Sequence, residues 1–249
     1  MRTRWHTRRA QGIAWLGVGV LVCQTSAAFA EAVGSPASIL KKGKWVMGLG
    51  GGALLERELS GGAEATVYQG GHYRGYGLTD WLSLYGKIGL AYVEVEDASI
   101  KKTNDPSTTN SFGRNFLSSV QAKIRFFRHE RFDWEWDGSL QYTDLRARRR
   151  GKRGKNEIRW HDWQFATSLA KGLGRVKPYV GVKVNIIDAT FRVRENGKLL
   201  TQGTYDQDGA FGFFVGSDYS LGSSEDVMLN IETSLLDGIE ITAAIAYTF

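Results

Sequence analysis

The sequence predicts an all-β fold, a transmembrane antiparallel up-and-down β-barrel of about ten strands. Three observations lead to this prediction. Apolar residues alternate with polar or small residues through most of the chain after residue 43. The alternating segments are close to the length that a tilted strand needs to cross a bilayer. The connections between them alternate between short and long, as expected when tight turns lie on one side of a membrane and loops on the other.

The pattern of residues 1–30 is typical of a secretory signal peptide. Four arginines precede an apolar stretch over residues 12–23, which is too short for a membrane-spanning helix. A small-x-small sequence ends at Ala30, so we expect cleavage after this residue. Residues 31–43 are then expected to form a short periplasmic lead, and residues 44–249 to form the barrel.

Cleavage would change the composition of the chain in two ways. The full chain has 32 Lys and Arg against 26 Asp and Glu, a net charge of +6. Four of these arginines leave with the signal peptide, so the mature chain has 28 basic residues against 26 acidic ones, a net +2. The single cysteine, Cys23, leaves as well. A mature chain without a thiol excludes disulfides, thiolate nucleophiles and cysteine-ligated metals.

Alternation with a period of two is clearest in residues 82–94, 114–127, 132–143 and 178–187. One face of these segments is apolar and is expected to contact lipid: Leu82, Leu84, Ile88, Leu90, Tyr92, Phe116, Val120, Ala122, Ile124, Phe126, Phe132, Trp134, Trp136, Leu140, Tyr142, Pro178, Val180, Val182, Val184 and Ile186. The other face is polar or small and is expected to line the lumen: Ser83, Tyr85, Lys87, Gly89, Ala91, Asn115, Ser119, Gln121, Lys123, Arg125, Asp133, Glu135, Asp137, Ser139, Gln141, Thr143, Tyr179, Gly181, Lys183 and Asn185.

Weaker segments complete the predicted series, at 44–56, 64–77, 158–172, 208–219, 226–235 and 239–249. The last two are joined by a turn that contains Asp237 and Gly238, a typical hairpin pair. In 64–77 we expect Val67, Gly71 and Tyr73 to face lipid, because the opposite choice would expose Arg74 to the bilayer at a cost of roughly 2–4 kcal/mol.

The lengths of the connections predict the orientation of the barrel. Residues 78–80, 128–131, 172–176 and 220–225 are short and are expected to be periplasmic turns. Residues 97–113, 146–157 and 194–206 are long and polar, and are expected to be extracellular loops. An even number of strands then leaves both ends of the mature chain in the periplasm.

Charged residues of both signs recur on the predicted lumen face and form a charge ladder: Lys87, Lys123, Arg125, Asp133, Glu135, Asp137 and Lys183. Since a short turn joins residues 114–127 to 132–143, the two segments should pair as a hairpin. We expect Arg125 to lie opposite Asp133 or Glu135, and Lys123 opposite Glu135 or Asp137. Side chains of this size would fill much of a ten-stranded barrel, which predicts a largely plugged lumen.

The most distinctive polar feature is a run of ten residues, RARRRGKRGK, of which seven are basic: Arg146, Arg148, Arg149, Arg150, Lys152, Arg153 and Lys155. Such runs are usually solvated. On the outer face of a membrane, the same residues would meet the phosphates of lipopolysaccharide, and arginine side chains suit phosphate. Both interpretations stay open. The exported location argues against nucleic acid as a partner.

Two motifs that suggest chemistry have structural explanations. The glycines at residues 48 and 50–52 lack the helix and the Lys-Ser/Thr pair of a phosphate-binding loop, and are expected to make room for neighbouring side chains. His161 and Asp162 are adjacent, but no nucleophile completes a catalytic set. Widely spaced histidines make a metal site improbable. We therefore expect no enzymatic activity, no cofactor and no metal.

The end of the chain, AIAYTF, has Ile245, Tyr247 and Phe249 on one face. It resembles the terminal-strand signal of bacterial outer-membrane proteins, whose final aromatic residue is recognised by the barrel-assembly machinery. The stretch YGLTDWLSLYGKIGL is similar to the strand–turn–strand unit of small outer-membrane barrels, with Trp81 at the interface. The chain thus resembles the OmpA/OmpX-like and opacity-type barrels, which implies a location in the bacterial outer membrane and contact with the assembly machinery during biogenesis.

A count of about ten strands departs from the eight of those families and is closer to omptin proteases or Opc-type adhesins, but the sequence has no functional motif of either. The favoured hypothesis is a plugged barrel with a structural, adhesive or surface-interaction role, in contact with outer-membrane lipids and lipopolysaccharide. One alternative is a narrow porin-like channel for small solutes. Another is an outer-membrane enzyme, such as an omptin-like protease or a lipid A hydrolase.

Overall fold

A computed structural model describes residues 39–59, 63–97, 109–150, 154–195, 198–222, 226–235 and 238–249. The predicted signal peptide lies outside these residues. The described strands form one closed antiparallel barrel in which each strand pairs with its sequence neighbours and β1 pairs with β10. The strands are β1 (Trp45–Leu59), β2 (Ala63–Gly77), β3 (Leu82–Asp97), β4 (Thr109–His129), β5 (Trp134–Arg150), β6 (Gly154–Lys171), β7 (Val176–Glu195), β8 (Lys198–Leu221), β9 (Val227–Leu235) and β10 (Ile239–Thr248). The described residues contain no helix that could cross a membrane.

The all-β, up-and-down barrel predicted from the sequence is confirmed, and each predicted segment overlaps one strand. We call the end at which β1 begins and β10 ends the inner end, and the opposite end, which is predicted to be extracellular, the outer end. The prediction of loops at 146–157 and 194–206 is wrong. Most residues of the first range extend β5 and β6, and most residues of the second extend β7 and β8, beyond the apolar part of the wall. Polar strands can keep pairing outside the membrane, since pairing still satisfies their backbone groups.

A belt of exposed apolar side chains surrounds the barrel wall. It includes Leu49, Leu84, Ile88, Leu90, Val120, Phe165, Val180, Phe213, Val215, Ile231, Ile241 and Ile245. Aromatic pairs flank the belt near both ends. The rings of Trp45 and Tyr76 lie 4.6 Å apart at the inner end, and those of Tyr142 and Trp163 lie 4.7 Å apart toward the outer end. An apolar band between aromatic girdles is the surface that a membrane-spanning barrel presents to lipid.

The predicted faces of β3, β4, β5 and β7 agree with the structure. Residues predicted to line the lumen are buried, among them Ser83, Tyr85, Lys87, Asn115, Ser119, Gln121, Lys123, Glu135, Asp137, Gln141, Tyr179, Lys183 and Asn185. Asp133 is the exception. It lies in the turn before β5, has a positive φ of 49°, and its side chain is 44% exposed.

The predicted faces of β2 are reversed in the structure. Val67 is buried in the barrel and Tyr73 packs against a buried cluster, whereas Arg74 is exposed on the outer wall. Tyr73 lies directly opposite Lys87 of β3, which faces the lumen. Directly opposed residues share one face of a sheet, so pairing with β3 sets the orientation of the whole strand. The prediction that Val67, Gly71 and Tyr73 face lipid is therefore wrong.

The outer end of the barrel has an apolar interior. The cluster that fills it, which we call the apolar core, consists of Leu54, Leu59, Ala65, Val67, Ala91, Val93, Val95, Leu117, Leu145, Ala147, Ile158, Trp160, Ile187, Ala189 and Phe191. The side chains that alternate with these along the strands include exposed Glu58, Glu64, Arg146, Arg148 and Asp188. The outer end of the barrel is thus apolar inside and charged outside. The part of the barrel that the apolar belt surrounds has the opposite arrangement.

An irregularity in β1 changes the orientation of its last residues. The register between β1 and β2 shifts before Arg57, and Glu56 has a positive φ of 52°. Leu54 and Arg57 are consequently both buried, although they are three residues apart. A bulge of this kind redirects side chains. It brings Arg57, which follows the end of the predicted segment 44–56, into the lumen.

The inner end is partly covered by the residues before β1. Leu40 is buried, and its backbone N–H donates to the Ser83 hydroxyl at 2.8 Å. The Lys42 N–H donates to the Asp80 carboxylate at 3.0 Å, and the Gly43 N–H donates to the Gly77 carbonyl at 2.9 Å. The end of the predicted periplasmic lead therefore docks on the β2–β3 turn.

Candidate functional site

The predicted charge ladder, apart from Asp133, lies inside the barrel toward the inner end. Lys87, Lys123, Glu135, Asp137 and Lys183 are buried, and Arg125 is mostly buried. The predicted register of the β4–β5 hairpin is wrong, because Arg125 lies opposite Asp137, and Lys123 lies opposite Ser139. The register shifts between Arg125 and Phe127, which adds a residue to β4. The sequence pattern did not reveal this bulge.

Glu135 is the centre of the ladder. Its buried carboxylate lies 3.2 Å from the Lys177 ammonium, 3.3 Å from the Arg128 guanidinium and 3.7 Å from that of Arg125. Of these cations, only Arg125 was predicted to belong to the ladder. The bulge turns Arg128 toward Glu135, and Lys177 reaches it from the start of β7. These groups border an opening of about 470 Å³ at the inner end.

A second polar network lies along the lumen wall and joins the neighbouring strands β7, β8 and β9. The Tyr179 hydroxyl donates to the Glu232 carboxylate at 2.9 Å. The Asn230 amide donates to the Tyr179 oxygen at 2.9 Å and to the Asp218 carboxylate at 2.5 Å. These side chains are buried. These hydrogen bonds stabilise the wall of the lumen, and the side chains occupy space through which a solute would pass.

A cavity of about 50 Å³ lies where the polar lumen meets the apolar core. Leu54, Val67, Leu117, Leu145 and Trp160 form its apolar side. Its polar side is formed by Arg57, Gln69, Gln141, Thr143, Asp162, Gln164, Asn185 and Glu240. Lys183 and Ser234 both donate to Glu240 beside it. A space of this size holds roughly three waters. Arg57 and Glu240 were not predicted as site residues, because each lies at the end of a weakly patterned segment.

The structure separates His161 from Asp162. His161 lies on the outer wall, where its ring stacks on Tyr142 and its Nδ1 lies 2.8 Å from the Tyr142 hydroxyl. Asp162 faces the internal cavity. Neighbouring residues of a strand point to opposite faces, so the two side chains cannot act on one substrate atom. No group of three residues able to hold a metal ion is present among the described residues.

An arginine patch covers the outer wall of the β5–β6 hairpin above the Tyr142–Trp163 pair. Arg146, Arg148 and Arg159 are exposed there. The Arg146 guanidinium lies 3.1 Å from the Asp144 carboxylate. The Glu157 carboxylate lies 3.3 Å from the guanidinium of Arg148 and 3.8 Å from that of Arg159. Arg146 lies directly opposite Arg159, so cations of neighbouring strands are held side by side.

The structure does not describe the side chains of the rest of the predicted anion-contact set. Lys152 and Arg153 are outside the described residues. For Arg149, Arg150 and Lys155 the structure describes the strand position but not the side chain. Arg159, by contrast, was not predicted as a contact residue. It follows the basic run after an interruption at Glu157, and only the pairing of β5 with β6 brings it beside Arg146.

The predicted assembly signal lies on the lipid-facing wall. Ile245, Tyr247 and Phe249 are about half exposed, and the rings of Tyr247 and Phe249 stack at 6.1 Å. The backbone N–H groups of Trp45 and Phe249 each donate to the carbonyl of the other, at 3.0 and 2.9 Å. The last residue therefore takes part in closing the barrel at its inner end.

No protein-family model and no curated protein sequence matches the chain. Among solved structures, the translocator domain of the autotransporter NalP from Neisseria meningitidis is similar over 96% of this chain and 96% of that chain, at 9% identity and a TM-score of 0.49. The transport unit of the autotransporter AIDA-I from Escherichia coli is similar over 86% and 93%, at 10% identity and a TM-score of 0.47.

The attachment invasion locus protein Ail of Yersinia pestis is similar over 84% of this chain and 100% of that chain, at 11% identity and a TM-score of 0.36. The chain's own features are a closed antiparallel barrel, an apolar belt and aromatic girdles. Together they give it the architecture of an outer-membrane β-barrel.

Proposed function

We propose that the chain is an integral protein of the bacterial outer membrane with a closed lumen and a surface-interaction role, and that the arginine patch on its outer wall binds the phosphates of lipopolysaccharide. The observation that carries this proposal is the position of the patch. Arg146, Arg148 and Arg159 lie directly above the Tyr142–Trp163 pair. An aromatic girdle marks the level of lipid headgroups, so the arginines would lie beside them.

The chemistry of the patch suits phosphate. Guanidinium groups bind phosphate oxygens through paired hydrogen bonds, and such charge-assisted bonds are stronger than neutral ones. Asp144 and Glu157 hold the arginines close to the wall but do not match them in number. The sequence between Arg148 and Arg159 contains five further basic residues. The favourable field would concentrate anionic headgroups at this wall.

The closed lumen is proposed from the apolar core at the outer end. An ion crossing this region would leave water for an environment lined by side chains such as Trp160, Ile187 and Phe191, which are buried against one another. Transfer of a charge into such a region without a partner is strongly unfavourable. We therefore favour a non-conducting barrel rather than a narrow channel. The absence of enzymatic activity stays an expectation.

Retention of lipopolysaccharide by the purified barrel tests the binding proposal. A variant with Arg146→Gln, Arg148→Gln and Arg159→Gln should retain at least tenfold less lipopolysaccharide than the unchanged protein, since each charged hydrogen bond is worth about 1.5–3 kcal/mol. Arg175→Gln, in the turn before β7, is the matched control and should retain the normal amount. Dephosphorylated lipopolysaccharide should bind all variants alike. Equal retention of the phosphorylated form by the triple variant would rule out the patch as its site.

Planar-bilayer recordings test the closed lumen. The purified barrel should insert without stepwise current increases at moderate voltage. Reproducible unitary steps would overturn the closed lumen and favour the narrow channel.

A further inference from the structure

Two polar side chains lie on the lipid-facing wall of the barrel at its inner half. His72 and Arg74 are on the outer face of β2, directly opposite Ile88 and Gly86 of β3. Ile88 is 58% exposed and belongs to the apolar belt. Arg74 lies three residues before Gly77, which ends β2, or roughly 8 Å from the inner end at the usual strand rise and tilt. Arginine facing lipid is costly, and an ionisable residue at such a position calls for a functional partner.

The immediate surroundings leave room for that partner. The Arg74 Nε donates to the His72 Nε2 at 3.5 Å, so the two side chains form one polar site. No carboxylate within the described part of the chain pairs with Arg74. Gly86 lies beside it, and a Cβ at that position would meet no atom within 4 Å. The guanidinium therefore borders open space that is filled by lipid when the barrel is in a membrane.

An apolar groove of about 280 Å³ adjoins this polar site. His72 forms one wall of the groove, and the remaining lining includes Met47, Leu49, Val227, Ile245 and Tyr247. These residues lie on β1, β9 and β10, so the groove runs across the wall away from β2. The Trp45–Tyr76 ring pair lies below Arg74 at the inner end, at the level expected for the membrane interface.

We propose that this wall binds a phospholipid of the periplasmic leaflet, with its phosphate on Arg74 and His72 and an acyl chain in the groove. Charge complementarity favours this occupant, because the Arg74 guanidinium has no carboxylate partner among the described residues and His72 keeps a ring N–H that can donate to the same anion. The position of Arg74 within the apolar belt favours a phospholipid as well. A phospholipid carries an anionic phosphate and an apolar acyl chain in one molecule, so it can occupy the polar site and the groove together. A second copy of the chain fits less well, since a two-fold interface through this patch would bring Arg74 close to its own symmetry mate.

This site is separate from the proposed lipopolysaccharide patch in position and in lipid. The patch lies at the outer end on β5 and β6, whereas this site lies in the inner half on β1, β2 and β10. Binding a phospholipid here would offset the cost of placing an arginine in the belt. It would also stabilise the wall at β1 and β10, the pair of strands that closes the barrel.

Native mass spectrometry in a maltoside detergent, which has no phosphate, tests the proposal. Phosphatidylglycerol is added to the folded barrel and the bound lipids are counted. The unchanged protein should bind one tightly held phosphatidylglycerol. The variant with His72→Leu and Arg74→Leu should bind it at least tenfold more weakly. Arg175→Leu, which removes an arginine outside the belt, should bind as the unchanged protein does. Diacylglycerol, which lacks the phosphate, should bind weakly to all three.

The unfolding temperature of the barrel gives a second, independent test that does not require bound phosphatidylglycerol to be counted in mass spectra. Without phospholipid, Arg74→Leu should raise the unfolding temperature, because a charge is removed from the detergent-facing wall. Phosphatidylglycerol should then raise the unfolding temperature of the unchanged protein more than that of Arg74→Leu. Equal lipid binding, or an equal rise in both proteins, would overturn the proposal. A dimer that disappears in the double variant would also overturn it, in favour of a second copy.

Discussion

At the scale of single residues, the lumen is arranged by small residues as well as by charges. The Tyr179 ring lies over Gly216 of β8, where an added Cβ would come within 2.3 Å of the tyrosine oxygen. The same tyrosine donates to Glu232 and accepts from Asn230. Gly216 therefore leaves the space that allows Tyr179 to reach across β8 to both partners on β9. The general expectation that strand glycines make room for neighbouring side chains holds at this position.

Gly216→Ala should destabilise the barrel, because the new Cβ forces Tyr179 away from its partners. Overpacking of this kind costs about 1–3 kcal/mol. The measurement is the free energy of unfolding in urea with lipid vesicles. Gly86→Ala is the matched control, since its Cβ would meet nothing within 4 Å on the outer wall. A loss that is equal in the two variants would contradict the close packing of Tyr179 on Gly216.

Glu135 should matter more for stability than a typical surface carboxylate. Glu135→Gln leaves the cations of Arg125, Arg128 and Lys177 without their shared anion, and breaking a buried pair costs about 3–5 kcal/mol. Because Arg128 is half exposed, we expect a loss toward the lower end of that range. Adding Lys177→Met should recover part of the stability in a urea titration, as expected for coupled neighbours. Purely additive losses would show that Glu135 and Lys177 do not interact.

At the scale of single strands, alternation predicted the faces well where the polar and apolar residues contrast strongly. In β5, tryptophans alternate with carboxylates, and the predicted faces agree with the structure. In β2 the contrast is weak, and Arg74 lies on the outer wall despite the cost of a charge facing lipid. The pairing of Tyr73 with Lys87 decides the orientation of β2. Applying the rule that opposed residues share a face to the β2–β3 hairpin would have found the correct orientation.

Bulges explain most of the remaining differences at the candidate site. The shift before Arg57 and the shift between Arg125 and Phe127 each reverse the alternation within one strand. A pattern of constant period cannot predict such a reversal, because it depends on hydrogen bonding to the neighbouring strand. Arg57 and Arg128 were therefore missed. The predicted partners of Lys123 were wrong mainly because the β4–β5 turn lies later in the chain than predicted, with β4 ending at His129 and β5 beginning at Trp134. The extension of strands beyond the membrane was also missed, since polar residues there are typical of loops.

The last strand carries a prediction about assembly. Deleting Phe249 removes two backbone hydrogen bonds to Trp45 and the final aromatic side chain. We expect the shortened protein to accumulate in the periplasm as a protease-sensitive form without heat-modifiable migration on gels. Phe249→Tyr keeps the ring and the backbone, and should assemble normally. Normal amounts of folded barrel in the outer membrane after the deletion would contradict this role.

At the scale of the whole molecule, the barrel changes character along its axis. In the inner part, charged and polar side chains line the lumen and apolar side chains face outward. In the outer part, the apolar core fills the interior and charged residues such as Arg146 and Arg148 face outward. The first arrangement suits a surrounding of lipid, and the second suits a surrounding of water. The short strands β9 and β10 end at Leu235 and begin at Ile239, near the level where this change occurs. The other eight strands continue beyond it, with apolar side chains inside and charged side chains outside, as in a water-soluble β-structure.

Single-cysteine labelling of intact cells tests this account most directly. The sequence has one cysteine, Cys23, which lies in the predicted signal peptide, so each introduced cysteine can be read alone. With a membrane-impermeant maleimide, Arg146→Cys and Arg148→Cys should be labelled, whereas Leu145→Cys and Ala147→Cys should be protected by the apolar core. Leu140→Cys should be protected by lipid. Labelling at Leu145→Cys and Ala147→Cys with protection at Arg146→Cys and Arg148→Cys would contradict the account.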